Sequence, residues 1–259
     1  MSISKVIGGG RLGNQITRNI AASIIAKKHD LKIQYQNYDL ITKIGIPLFL
    51  GSNIYNNYIE VDDNNYFETL ETNNFRHNII LKSYCQSKKI SEQVHKYLNS
   101  DEIVKYFISN NKYKHLYNNN NDCFIHVRLG DTEKWNPGFN YYNHVLSKLN
   151  CRHIYIATDS MWHPIIRKIL NKYKNVTLMG NDLTDIINFA STCKYVILSY
   201  GTFSAIIGYL SFYTTVYCLK FSEKTSWDWN LPDECDMFTN KFTKKGKWIE
   251  VDQSSYNVG

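Results

Sequence analysis

Three short polar segments in the second half of the chain each follow an apolar run that is typical of a buried strand. They are "HVRLGD" at 126–131, "ATDS" at 157–160 and "SYGTFS" at 199–204. In open α/β sheets, ligands bind at the edge where the parallel strands have their carboxyl ends. We therefore expect the three segments to converge on one site, and their cation, hydroxyl groups and helix start favour an anionic ligand.

The first segment supplies the cation. Alternation along the strand places His126 and Arg128 on the same side. The planar guanidinium of Arg128 can bind a diphosphate through two charge-assisted hydrogen bonds. The alternative is an Arg128–Asp131 ion pair that only fixes the loop, and Asp131 is also the first candidate for a general base.

The other two segments supply polar groups at strand ends. Asp159 could accept hydrogen bonds from a purine or a ribose, or it could cap the following helix. Residues 199–204 lie where a strand turns into a helix, and N–H groups at a helix start bind phosphate; an ordinary capped helix is the alternative. The chain has no D-x-D pair, so positive side chains and a helix dipole would have to neutralise a diphosphate without a metal.

A glycine-rich turn lies near the amino terminus. In "VIGGGRLGNQ", Gly8, Gly10 and Gly13 have the spacing G-x-G-x-x-G. A dinucleotide site also needs an acid near the end of the second strand, but that strand offers only Gln34 and Gln36. The turn therefore predicts close approach of the backbone to an anion or a sugar, or a tight strand-to-helix connection, rather than a redox site.

The composition excludes several classes of function. The 259 residues carry a net charge of +7, but the basic residues are scattered, which disfavours a nucleic-acid partner. The six cysteines form no C-x-x-C pair, so zinc and a disulfide framework are not expected. No signal peptide and no apolar run of about 20 residues is present, and we expect a cytoplasmic protein without a membrane segment.

Strands and helices alternate along most of the chain, and the apolar runs in its second half are continuous, as in a parallel sheet covered on both faces. Residues 38–75 read as Asn- and Asp-rich loops. The polar run at 117–123 is the best boundary. The sequence predicts two α/β domains, 1–118 and 119–259, with a cleft between them.

Together these segments resemble the α-1,2-fucosyltransferase family and its wider GDP-fucose-dependent relatives. "GGGRLGNQ" is similar to the family's G-G-x-L-G-N-Q, "FIHVRLGD" to its H-V-R-R-G-D, and "IYIATDS" to its strand ending in S-D-D. Residues 185–210 resemble a block containing C-K-x-x-I-x-S-x-[SG]-T-F-[SG]. The resemblance covers the start of the chain and most of 123–210.

The resemblance implies a GT-B fold, with two Rossmann-like domains whose parallel sheets face a central cleft, the acceptor on the N-terminal domain and the donor on the C-terminal one. It implies inverting, metal-independent transfer of fucose from GDP-fucose to a glycan, as an α-1,2 linkage to galactose, with no cofactor. Arg128 would hold the diphosphate during catalysis. The donor-binding residues are expected to be Gly10, Arg11, Gly13, Asn14, His126, Arg128, Asp159, Ser199, Gly201, Thr202, Phe203 and Ser204.

Three departures from the family pattern keep other functions open. Leu129 replaces the second arginine, Ser160 replaces the last acid, and residues 205–208 replace W-W-[GS]-A. The alternatives are a glycosyltransferase with another GDP-sugar, or a catalytically inactive module that binds a nucleotide sugar or a glycan.

Overall fold

The computed structural model describes residues 3–220 and 247–256. Its internal contacts divide the described chain into two compact units, the first ending at Ser109 and the second beginning at Asn110. Strands and helices alternate in both units, which confirms the predicted α/β class. No helix in the described ranges is long and apolar enough to cross a lipid bilayer.

The first unit is built around a parallel sheet. Its elements are β1 (Ser4–Val6), α1 (Leu12–His29), β2 (Ile33–Gln34), α2 (Tyr38–Ile44), β3 (Tyr58–Val61), α3 (Tyr66–Glu71), β4 (Asn78–Leu81), α4 (Lys88–Leu98) and α5 (Asp101–Asn110). The strand order is β2-β1-β4-β3, with every neighbouring pair parallel. Helix α1 buries an apolar stripe that includes Ile16, Ile20 and Ile25, because these residues recur on one face of the helix.

The prediction of loops over residues 38–75 is wrong, since α2, β3 and α3 lie there. These elements have seven, four and six residues, too few to show a clear periodic pattern. Helix α2 also follows Asn37 in the left-handed backbone region, at φ 48°, without a side-chain cap. Asn37 at the N-cap and Asp39 in the first turn are usual helix-start residues, but they do not stand out within a stretch rich in Asn and Asp.

The second unit contains a larger parallel sheet. Its elements are β5 (Cys123–Val127), α6 (Gly138–Leu146), β6 (Ile154–Thr158), α7 (Pro164–Lys172), β7 (Val176–Leu178), α8 (Leu183–Ala190), β8 (Tyr195–Ile197), α9 (Thr202–Tyr209), β9 (Thr215–Leu219) and β10 (Lys247–Val251). The order among the described strands is β10-β9-β8-β5-β6-β7. All five residues of β5 are buried, as expected for a central strand with helices on both faces.

The strand order of the second unit has a topological switch point. From β5 the chain proceeds outward to β6 and β7, then returns to β8 beside β5 and continues to β9 and β10 on the other side. This is the doubly wound arrangement in which a crevice opens at the carboxyl ends of the two central strands. Strand β10, which the sequence analysis did not predict, completes the described sheet by pairing with β9 over five residue pairs.

Candidate functional site

The three predicted segments meet at the β5–β8 switch point of the second unit. The loop at 128–136 leaves β5, Asp159 directly follows β6, and the turn at 198–201 leads from β8 into α9. Because the chain leaves β5 and β8 toward opposite sides of the sheet, the two connections diverge and open a crevice. Side chains from all three segments contact one another there.

Arg128 joins two of these segments. One of its terminal nitrogens donates to Oδ2 of Asp159 and the other donates to Oδ1 of Asp131. The ion pair with Asp131 that the sequence left open is therefore present, and a second pair accompanies it. The Asp131 side chain is 59% exposed, against 25% for Asp159. Since exposed ion pairs contribute little, Asp131 is the partner that an incoming anion can displace most easily.

The backbone around Arg128 is fixed on both sides. Oδ1 of Asp159 accepts a hydrogen bond from the backbone N–H of Leu129 at 2.9 Å. Nδ2 of Asn136 donates to the carbonyl oxygen of Arg128 at 2.8 Å. A Cβ atom at Gly130 would lie 2.6 Å from Oδ2 of Asp159, so the close approach of this loop to Asp159 depends on glycine. These contacts hold the guanidinium in place before any ligand arrives.

The alternative role of Asp159 as a helix cap is wrong. Helix α7 begins at Pro164, and its N-cap is His163, whose side chain accepts a hydrogen bond from the N–H of Ile165 at 3.2 Å. The Asp159 carboxylate is engaged by Arg128 and by the backbone of Leu129 instead. Its role is to connect the ends of β5 and β6.

His126 is a buried neutral imidazole that connects β5 to α9. Its Nδ1 lies 2.5 Å from Oγ of Ser204, and its ring packs edge-to-face on Phe203 with the ring centroids 5.4 Å apart. Burial lowers the pKa of His126 to about 4; the Arg128 cation lowers it further and Asp159 opposes the shift. The Ser204 hydroxyl also donates to the carbonyl of Tyr200 at 3.3 Å.

The amino terminus of α9 faces this edge without a side-chain cap. Gly201, the N-cap residue, has φ 101° and ψ 159° and has no side chain with which to cap the helix. A Cβ atom added at Gly201 would meet no atom of the described residues within 4 Å. The helix dipole and the first N–H groups favour an anion at this position.

Two of the departures from the family pattern lie in the core. Leu129 is 1% exposed and packs in the apolar cluster beneath the sheet edge. Residues 205–208 are fully buried in α9, and the indole of Trp248 packs where a Cβ of Gly208 would lie. The replacements at these positions change core packing and leave the contacts of Arg128, His126 and Asp159 in place.

The predicted residues of the glycine turn belong to the first unit. Gly10 has φ 100°, and a Cβ there would lie 2.6 Å from Nδ2 of Asn14. Arg11 is the extended N-cap of α1, which includes Gly13 and Asn14. At the end of β2, where a dinucleotide site would have an acid, Nε2 of Gln36 donates to the carbonyl of Gly8 at 3.0 Å.

Sequence reasoning missed two residues that organise these edges. Asn136 spans from the Arg128 loop to the hydroxyls of Tyr142 and Ser199, at 3.1 and 3.5 Å. Arg18 is fully buried in α1 and donates to the carbonyls of Ser83 and Gly9, both at 2.8 Å. An arginine among the apolar positions of an amphipathic helix is the signal that could have found Arg18. Asn136 carried no comparable signal.

Among the described residues, no three His, Cys, Asp or Glu side chains gather in a way that could hold a metal ion.

Comparison with solved structures decides the fold type. The crystal structure of NodZ α-1,6-fucosyltransferase soaked with GDP-fucose matches with a TM-score of 0.50 at 12% identity, over 81% of this chain and 93% of that one. The chain has a GT-B-type fold. POFUT1 in complex with GDP matches with a TM-score of 0.44 at 11% identity, over 80% of this chain and 95% of that one. S. aureus MnaA with UDP matches with a TM-score of 0.42 at 9% identity, over 85% and 79%.

The sequence matches no protein-family model and no curated protein. The evidence for function therefore comes from the GT-B-type fold and from the residues at its sheet edges.

Proposed function

We propose that this protein is a glycosyltransferase that moves fucose from GDP-fucose to a hydroxyl group of a glycan. The observation that carries the proposal is that the Arg128 loop and the amino terminus of α9 both lie at the β5–β8 switch point. Both supply positive charge at the edge where doubly wound folds bind nucleotides. The GT-B-type fold shared with NodZ, whose crystal was soaked with GDP-fucose, supports the choice of donor.

In the proposed complex the diphosphate occupies the space between Arg128 and the turn at 199–204. Arg128 exchanges its exposed partner Asp131 for a phosphate oxygen, while Thr202 contributes its hydroxyl and backbone N–H and Ser204, whose hydroxyl is buried against His126, contributes its backbone N–H. Asp159 lies on the nucleoside side, and the buried His126 supports the turn through Ser204. No metal takes part, because the guanidinium and the helix dipole stabilise the leaving group.

The reaction requires charge stabilisation and one proton transfer. The bond between the fucose anomeric carbon and the diphosphate breaks as the acceptor oxygen attacks from the opposite face, which inverts the configuration. Arg128 stabilises the negative charge that develops on the departing GDP. The proton of the acceptor hydroxyl passes to a base, for which Asp131 is the first candidate.

The proposal also includes the linkage that the enzyme forms between fucose and the acceptor. The sequence motifs favour an α-1,2 linkage to galactose, whereas NodZ is named as an α-1,6-fucosyltransferase. A product analysis by NMR on galactose-terminated acceptors distinguishes the two linkages directly.

The experiment that tests the function is release of GDP from GDP-fucose, with and without galactose-terminated acceptors. We expect acceptor-stimulated release by the wild type, unchanged by EDTA. Arg128→Ala should weaken GDP binding or turnover by about 10- to 150-fold per charge-assisted bond lost. Arg128→Lys, which keeps the charge but lacks the planar fork, should be only partly active. Arg167→Ala removes an exposed arginine from α7 of the same unit and serves as the matched control.

The outcomes separate the remaining possibilities. GDP binding without release from GDP-fucose, but with turnover of another GDP-sugar, would change the donor. GDP binding without turnover of any sugar would indicate a binding module. Preference for NAD or UDP over GDP in thermal-shift measurements would contradict the proposal altogether.

A further inference from the structure

The first unit carries an exposed aromatic ring on a buried cation. The Cζ atom of Arg18 lies 5.1 Å from the ring centre of Tyr84. Arg18 is 0% exposed, whereas Tyr84 is 41% exposed. The guanidinium therefore supports one side of the ring from below, and the ring presents its remaining surface to solvent.

The segment that carries Tyr84 is held rigidly. The Ser83 hydroxyl donates to Oδ1 of Asp63, and the backbone N–H of Ser87 donates to Oδ2 of the same carboxylate at 3.0 Å. Between them, Cys85 has a left-handed backbone with φ 55°, and its N–H donates to Oγ of Ser83 at 3.1 Å. A ring fixed in this way loses little conformational freedom when a ligand stacks on it.

Carboxamide side chains link the glycine turn, the Tyr84 segment and the buried arginine. Nη1 of Arg18 donates to Oε1 of Gln36 at 3.1 Å, and Gln36 donates to the carbonyl of Gly8. Nε2 of Gln86 donates to Oδ1 of Asn14 at 3.0 Å. Nearby, Nδ2 of Asn37 donates to Oε1 of Gln15, whose own Nε2 donates to the carbonyl of Gly10 at 2.9 Å. The glycine turn and the Tyr84 segment thus share one network rich in neutral amides.

This network lies at the carboxyl edge of the first sheet. Strands β1 and β4 are central neighbours, with β2 beyond one and β3 beyond the other. The glycine turn follows β1 and the Tyr84 segment follows β4, so both lie at the carboxyl edge where ligands bind in such sheets. The nitrogens of Arg18 donate to carbonyl and amide oxygens. Because Arg18 is fully buried, a phosphate at the surface cannot contact its guanidinium.

An aromatic face beside neutral amides suits a ligand with an apolar C–H face and a rim of hydroxyl groups. Amides both donate and accept hydrogen bonds, as hydroxyl groups do. We infer that Tyr84 is a stacking platform for a pyranose ring of the glycan acceptor, with the adjoining carboxamides contacting its hydroxyls. The inference rests on the proposed function, which it extends by assigning the acceptor to a specific surface of the first unit.

The first test measures glycan binding without donor, by saturation-transfer NMR on the full chain with lactose, N-acetyllactosamine and free monosaccharides. We expect transfer to the sugar C–H protons in the wild type and in Tyr84→Phe, and its loss in Tyr84→Ala. Tyr106→Ala removes a tyrosine of similar exposure, 43%, from α5 of the same unit and should behave like the wild type.

The second test measures kinetics with GDP-fucose. Tyr84→Ala should raise the acceptor KM by about two- to tenfold, the range expected for losing one aromatic stacking contact, while the donor KM stays unchanged. An unchanged acceptor KM in an active Tyr84→Ala variant would overturn the inference. Failure of the wild type to bind any sugar of the panel, or preferential binding of nucleosides at Tyr84, would also overturn it.

The two proposals fail in different ways. If the wild type neither binds GDP nor releases it from GDP-fucose, the proposed function fails, and Tyr84-dependent sugar binding in the NMR experiment still supports the platform. If GDP is released on addition of acceptor but Tyr84→Ala changes neither measurement, the platform fails and the proposed function stands.

Discussion

At the scale of single residues, the Asp131 carboxylate has two possible roles, which a substitution can distinguish. As a base it takes the acceptor proton; as the exposed partner of Arg128 it only holds the guanidinium. Asp131→Asn preserves its size and removes its charge. If Asp131 is the base, kcat should fall by about 10²- to 10⁴-fold, while GDP should bind at least as tightly because a competing anion is gone.

This prediction is checked by measuring kcat for transfer and the Kd for GDP by calorimetry on the same preparations. Glu133→Gln neutralises another exposed acid of the same loop, one that contacts His163, and should leave kcat near the wild-type value. An Asp131→Asn variant with full kcat would leave Asp131 only its structural role.

His126 makes the stability of the second unit depend on pH. Its pKa in the folded protein is lowered to about 4, whereas in the unfolded chain it lies near 6.5. Above pH 6.5 neither state is protonated, and stability is at its full value. As the pH falls from 6.5 toward 4, only the unfolded state takes up the proton, so the free energy of unfolding decreases by up to about 1.4 kcal/mol per pH unit.

Urea unfolding at about pH 7 and about pH 5 measures this loss. His126→Gln should show a smaller loss between the two pH values than the wild type. Some loss should remain, because burial also lowers the pKa of His95, in the first unit, to about 4. The exposed His115→Gln serves as control, and an equal loss in His126→Gln and the wild type would contradict the assignment.

The contacts between predicted site residues differ in how far they can be read from sequence. Arg128 and Asp131 are three positions apart, and their pairing is visible in "HVRLGD". Arg128 and Asp159 are 31 positions apart, so only the strand order brings them together. The contact of His126 with Ser204 spans 78 positions. Residue types at strand ends predicted which side chains belong to the site. Which of them form hydrogen bonds with one another could be seen only in the fold.

At the scale of elements, two glycines at the ends of the α9 segment are required for different reasons. Gly201 has φ 101°, but a Cβ there would meet no atom of the described part of the chain within 4 Å. Gly208 lies within the helix, and a Cβ there would lie 2.6 Å from Cη2 of Trp248 and 2.8 Å from Cδ1 of Leu198. Alanine at Gly201 therefore strains the backbone, by about 1–3 kcal/mol, whereas alanine at Gly208 overpacks the core by a similar amount.

A double-mutant cycle with Trp248→Leu distinguishes the two. The smaller side chain should relieve much of the destabilisation by Gly208→Ala and none of that by Gly201→Ala, as measured by urea unfolding. Equal relief of both variants would mean that Gly201 is constrained by packing rather than by its backbone angle. Gly201→Ala should in addition weaken GDP binding, because it alters the turn that presents the first N–H groups of α9.

Long and strongly patterned elements were predictable, and short or isolated ones were not. The continuous apolar runs of β5, β6 and β9 have five residues each and were assigned correctly. The elements between 38 and 75 are too short for a period to emerge. Strand β10 has the mixed pattern "KWIEV" and is assigned by its pairing with β9, a non-local contact.

At the scale of the whole molecule, the carboxyl edge of each sheet has its own chemistry. The edge of the second sheet carries Arg128 and the helix start at Gly201, which favour an anion. The edge of the first carries Tyr84 and carboxamides around a buried Arg18, which favour a neutral ligand. The proposed transfer from a charged donor to an uncharged acceptor needs both kinds of site, and the two edges differ in the corresponding way.

Hydrogen–deuterium exchange on the intact chain tests which ligand binds at each sheet edge. GDP at about 100 times its Kd raises the free energy of any opening that disrupts its site by about 2.7 kcal/mol, so we expect slower exchange in residues 128–131 and 201–205. Lactose should instead slow exchange in 83–87. NAD serves as the control ligand and should change neither region. Protection of 83–87 by GDP, without protection of 201–205, would place the nucleotide on the first sheet and reverse both assignments.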